Sequence, residues 1–85
     1  KMIKVKYFYS SSCMVCRKLQ NDINLLSKKY NVEKLDDKFN SKELDKHNIE
    51  YFPTMIVYKD DEIIHNVNGL KPIYRIIKEL LKWKK

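Results

Sequence analysis

Ser10-Ser11-Ser12-Cys13-Met14-Val15-Cys16-Arg17-Lys18 is the stretch on which the fold of this chain turns. A strand-forming run ends just before it, and an amphipathic helical pattern begins inside it. The only two cysteines of the chain stand here, with two residues between them. A strand-to-helix junction is a place where a thiol gains reactivity. The first helical turn offers unpaired N–H groups and the positive end of the dipole, and both favour thiolate over thiol. Residues i and i+3 of a first turn share one side, so both sulfurs can bond with little backbone movement. A dithiol/disulfide redox site is therefore the leading reading. Two others stand beside it: cysteines that merely pack in a helix, and a structural zinc site. For zinc, His47 and His65 lie far along the chain and there is no second cysteine pair.

The 85 residues suit a single domain spanning 1–85. A chain of this size buries only about two-thirds of its unfolded surface, so each core side chain matters. Hydrophobic residues make up 44%, which argues against disorder. The net charge of +7 invites a nucleic-acid reading. However, the lysines are spread along the chain and interleaved with acids, as in Lys42-Glu43-Leu44-Asp45-Lys46. No Arg/aromatic cluster of the kind that stacks bases is present. The expectation is a solvated basic surface that steers toward acidic partners, with no nucleic acid bound. Two cysteines cannot build the multi-bridge framework of a secreted mini-domain. Lys1 to Phe8 alternates charged and apolar groups, unlike the continuous apolar core of a signal peptide, and no run reaches transmembrane length. A monomer in a reducing cytoplasm, without a membrane partner, is the default expectation.

Outward from the cysteines, residues 2–9 read as a strand, with Ile3, Val5 and Tyr7 alternating with Lys4, Lys6 and Phe8. Ser12 is the expected N-cap of a helix starting at Cys13. Cys16, Leu19, Ile23, Leu26 and Tyr30 recur at helical spacing, Lys28 and Lys29 suit the C-terminal dipole, and Asn31 is suited to end the helix. Val32 to Leu35 reads as a second strand. Asn40 or Ser41 with Glu43 offers a capping box for a short helix to about His47. Met55-Ile56-Val57-Tyr58 is apolar throughout, as in a strand covered on both faces. Asp60-Asp61 forms a tight turn into a hairpin strand from Glu62 to Val67, closed by Asn68-Gly69. Pro72 opens a last helix whose face is Ile73, Ile76, Ile77, Leu80 and Leu81. Lys82, Lys84 and Lys85 complement its dipole, and Trp83 is expected to fold over the core edge. The order is β-α-β-α-β-β-α. Strands one and two are parallel through a right-handed crossover, and the last two are an antiparallel hairpin. An α/β fold with a mixed four-stranded sheet and helices on both faces follows.

This order of elements, with Cys13-Met14-Val15-Cys16 after strand one and Phe52-Pro53-Thr54 before strand three, resembles the thioredoxin/glutaredoxin superfamily over essentially the whole chain. The resemblance implies the thioredoxin-like fold and a cis-proline at Pro53 whose loop packs beside the cysteines. It also implies that the backbone of Phe52 pairs with an extended substrate segment. Cys13, the more exposed thiol, then attacks a substrate disulfide and Cys16 resolves the mixed disulfide. Ser12, Met14, Val15, Phe52, Pro53 and Gly69 form the substrate-binding rim. No metal or organic cofactor is required, but an external reductase is.

Within the superfamily the signals divide. The second half, from Tyr58 through Gly69, is similar to thioredoxin, whereas the length resembles glutaredoxins. Thioredoxins carry Trp before the first cysteine and Gly-Pro between the pair, where this chain has Ser12 and Met14-Val15. They also carry a buried Asp that assists proton transfer at the position of Tyr7. Gly69-Leu70-Lys71-Pro72 lacks the Gly-Gly turn and acids with which glutaredoxins hold glutathione. The site and this turn look more like the small redoxins that serve ribonucleotide reductase and are reduced by thioredoxin reductase. The expected activity is thus protein-disulfide reduction. A glutathione-dependent glutaredoxin and a non-catalytic binding or adaptor module are the alternatives.

Overall fold

Seven alternating residues, Ile3–Tyr9, form the central strand β1, and the rest of the sheet is built outward from it. The structure is a computed structural model that describes residues 2–82. Trp83, Lys84 and Lys85, assigned above to the core edge and to the last dipole, lie outside the described residues. After β1 come α1 (Met14–Lys29), β2 (Asn31–Asp36), α2 (Ser41–Lys46), β3 (Thr54–Lys59), β4 (Glu62–Asn68) and α3 (Leu70–Lys82). The sheet runs β2-β1-β3-β4. β2 lies parallel to β1, with Tyr7 opposite Lys34. β3 lies antiparallel to β1, with Tyr7 opposite Met55, and β4 completes the antiparallel hairpin. The mixed four-stranded α/β fold expected from the element order is the fold observed.

Both faces of the sheet are covered. On one, Ile3, Val5 and Tyr7 of β1 join Met55 and Val57 of β3 beneath Leu19, Ile23 and Leu26 of α1 and Ile73, Ile76, Ile77 and Leu80 of α3. On the other, Phe8, Leu35 and Ile56 pack with Leu44, Ile49, Phe52 and Tyr58 around α2. Period-2 alternation sends successive residues of β1 to opposite faces, so its second register is also buried. Lys6, expected on a solvated face, is only 9% exposed. It reaches the α2 layer, where its ammonium meets Glu43 at 2.6 Å.

Several local expectations change. The capping box is absent, since the Asn40 side chain does not cap α2 and its amide donates instead to the Asp36 carbonyl at 2.8 Å. Glu43 is taken by Lys6 rather than by the helix start. α1 ends at Tyr30, and Asn31 already belongs to β2. Lys29, assigned above to the dipole of its own helix, reaches the Leu80 and Leu81 carbonyls of α3, both at 3.2 Å. The Tyr30 hydroxyl joins it on Leu80 at 2.7 Å. Thus the end of α1 satisfies orphan carbonyls at the end of α3. Leu81 is exposed on the flank of the α3 stripe. Asp60 and Asp61 do turn at positive φ, 50° and 71°, as the hairpin without glycine requires.

Candidate active site

The topology brings three separate chain segments to one end of the sheet. β1 ends there, antiparallel β3 starts there, and β4 returns to it. The Ser10–Cys16 turn, the Tyr51–Thr54 turn and Gly69 are therefore neighbours, although they are well separated in sequence.

Cys13, and not Ser12, is the N-cap of α1. Its backbone is extended (φ −90°, ψ 114°), and its sulfur accepts the N–H of Cys16 at 3.2 Å. A cap sulfur thus takes the place of the usual hydroxyl, and the helix starts one residue later than expected. The serines have another role. Ser10 accepts the Cys13 N–H through its carbonyl at 3.1 Å, and the Ser10 and Ser12 hydroxyls lie 3.0 Å apart. These bonds close the turn that aims Cys13 outward. No acid sits in the first helical turn to oppose negative charge at the cap.

The two sulfurs differ in setting. Both are free thiols; Cys13 is half-buried, and Cys16 is 6% exposed on the inner side of α1. Burial pushes the Cys16 thiol up to about 11, and the neighbouring Cys13 sulfur adds to the rise. A backbone hydrogen bond from Ser10 and the Tyr7 hydroxyl act in the opposite direction.

The Phe52-Pro53 bond is cis. The Phe52 carbonyl lies 3.8 Å from the Cys13 sulfur and accepts from it. Pro53 is buried, and its carbonyl accepts the N–H of Gly69 at 3.0 Å. The Thr54 hydroxyl donates to the Tyr51 carbonyl at 2.6 Å and fixes the other side of the turn. Gly69 has φ 91°, a conformation for which only glycine is suited. It was expected on the substrate rim; its visible contact is a brace behind the proline loop.

Met14 is 70% exposed and Val15 half-buried, both beside Cys13. Tyr51 is exposed in the turn before Pro53, and Ser12 is exposed as well. A cavity of about 260 Å³ opens behind the site, lined by Tyr7, Ser10, Cys16, Arg17 and Lys34 among others. Sequence reading missed Lys34. The signal was its place opposite Tyr7 in the parallel ladder, which puts it on the α1 face of the sheet. His47 lies away from the cysteines, with its ring edge-on to Phe8 on the α2 side. Among the described residues no group of three or more His, Cys, Asp or Glu side chains is placed to hold a metal ion. No described helix is long and apolar enough to cross a membrane.

A family model described as Thioredoxin matches residues 1–82. Among solved structures, thioredoxin 1 of Thermosipho africanus is 21% identical, with a TM-score of 0.80 over 93% of this chain and 91% of that one. A Schistosoma mansoni thioredoxin pre-protein, crystallised reduced, is 26% identical, with a TM-score of 0.78 over 94% of this chain and 80% of that one. Fasciola hepatica thioredoxin is 19% identical, with a TM-score of 0.78 over 92% and 80%.

Proposed function

The chain belongs to the thioredoxin family, and from that premise we propose that it is a thiol–disulfide oxidoreductase that reduces disulfides in protein substrates. The observation that carries this reading is the setting of the Cys13 sulfur, half-exposed at a helix N-cap and beside the Phe52 carbonyl. The Cys16 N–H meets this sulfur at 3.2 Å and fixes it at the start of α1. Cys13 attacks one sulfur of the substrate disulfide, forming a mixed disulfide and expelling the other sulfur as a thiolate. Cys16 then attacks Cys13, releases the second substrate thiolate, and leaves a Cys13–Cys16 disulfide. Two electrons pass from the protein to the substrate, and a reductase of the thioredoxin-reductase type restores the dithiol. Met14, Val15 and Tyr51 supply an apolar rim that a protein substrate covers, and the Phe52 backbone pairs with its extended segment. The test is insulin-disulfide reduction driven by dithiothreitol. Wild type accelerates the reaction and Cys13→Ser abolishes the acceleration; a Cys13→Ser protein as fast as wild type would defeat the proposal.

A further inference from the structure

Tyr7 is the buried polar side chain near the cysteines that the reaction above leaves without a task. It is 4% exposed and its ring stacks on Tyr9, with centroids 5.9 Å apart and planes at 16°. Its hydroxyl is buried without a hydrogen-bond partner. A buried hydroxyl in that condition is disfavoured unless some state of the protein supplies a partner. Tyr7 lines the 260 Å³ cavity together with Cys16.

We propose, building on the oxidoreductase reading, that Tyr7 assists the resolving step by donating its hydroxyl hydrogen to the Cys16 sulfur as that sulfur becomes a thiolate. The donor has no partner at hydrogen-bond distance in the dithiol protein, yet it already favours the charged form of Cys16. The contact strengthens as charge develops, and such an interaction lowers a barrier more than it stabilises the resting state. Burial holds the Tyr7 hydroxyl far above the ordinary phenol value, and the Cys16 and Cys13 sulfurs add to this. Tyr7 therefore keeps its proton throughout and is a donor, not a base. The Cys16 proton passes to water, for which the cavity of about 260 Å³ has room and polar partners in Ser10, Gln20 and Asn24. The thiolate then attacks the Cys13 sulfur, the Cys13–substrate bond breaks, and the departing substrate thiolate takes a proton from solvent.

The other charged or titratable groups around this sulfur are Cys13, Tyr9 on β1, Arg17 on α1 and Lys34 on β2. Lys34 is tethered by its hydrogen bond to Asn24 at the cavity wall. Both cations line the cavity with Cys16. Tyr7 is the buried side-chain donor to the Cys16 sulfur, beside the backbone donor of Ser10.

The experiment is Tyr7→Phe, which removes one oxygen and keeps the stacked ring. In the Cys13→Ser background, ionisation of Cys16 is followed by NMR of cysteine labelled at Cβ, a readout that needs no activity. The expected result is a midpoint about one unit higher in Tyr7→Phe, a tenfold loss of thiolate at a given pH. An unchanged or lowered midpoint overturns the proposal. In the full dithiol protein, Ellman's reagent reports two steps: release of one chromophore as Cys13 attacks, and of a second as Cys16 resolves. Tyr7→Phe is expected to slow the second about tenfold at neutral pH and leave the first unchanged. Equal slowing of both, or of neither, overturns it. A wild-type protein that forms the adduct but never releases the second chromophore would sink the oxidoreductase reading, and the NMR midpoint would still decide the Tyr7 contact.

Discussion

Cys13 and Cys16 are three residues apart and chemically far apart, because one sulfur caps the helix while the other points beneath it. Burial holds the Cys16 thiol up near 11, so its thiolate is scarce at neutral pH and grows about tenfold per unit as pH rises. The resolving step of the wild-type protein is therefore expected to accelerate about tenfold per pH unit between roughly 7 and 9, measured as second-chromophore release. A pH-independent second step would contradict that assignment. Met14 is exposed and contributes little to the core. Met14→Ser is expected to leave the melting temperature and the Ellman reaction unchanged and to raise KM for insulin several-fold. Gly69 is a separate case. A Cβ there would meet nothing closer than Pro72 Cδ at 3.9 Å, so space is not the obstacle. The φ of 91° is, and Gly69→Ala is expected to cost about 1–2 kcal/mol in a denaturant titration. The identity of these residues was readable from the sequence alone. That Cys13 rather than Ser12 caps the helix was not, because an N-cap preference ranks serine above cysteine and takes no account of which backbone turns first.

Among the elements, α2 owes most to a single side-chain pair. It is six residues long with none fully buried, and the Lys6–Glu43 contact ties it to the sheet. Glu43→Gln leaves the poorly exposed Lys6 ammonium facing a neutral amide and is expected to cost about 1–3 kcal/mol. The pH dependence has a definite sign. Lys6 holds the Glu43 carboxyl below its ordinary value. The pair therefore stabilises the fold fully above the unfolded carboxyl's pKa of about 4.3, and that contribution is lost as pH falls through the lowered folded value. Melting curves of wild type and Glu43→Gln are thus expected to differ near neutrality and to converge in acid. A gap that persists at low pH would place the effect in packing. Helix α2 itself was visible in the sequence. Its attachment was not, because the sequence pattern offered Glu43 a local capping partner while Lys6, 37 residues away, had the better geometry.

The whole molecule works as a small core that holds three turns at one end of a sheet. With about 5–15 kcal/mol of total stability for a typical domain, one core cavity is a large fraction. Ile77, 1% exposed between α3 and the sheet, is expected to lose about 2–5 kcal/mol on truncation to Ala, a fall of roughly 10 °C or more in melting temperature. The Cys13→Ser protein, by contrast, is expected to melt close to wild type and to lose activity. Stability and chemistry are thus separable in this chain, since the core lies within the layers and Cys13 lies at their rim.

The sequence by itself determined the element order, the parallel β1–β2 pair and β3–β4 hairpin, the strand covered on both faces, and the two cysteines at the start of a helix. These are local properties, set by periodicity, turn chemistry and handed crossovers. Tertiary structure decided the β2-β1-β3-β4 order, the burial of Lys6 against Glu43, and the brace from Gly69 to Pro53. It also placed an unpartnered Tyr7 hydroxyl in the cavity behind Cys16. Each of these depends on residues far apart in the chain meeting across a sheet. Such a meeting is selected by the packing of the whole core and leaves no periodic trace in either segment alone.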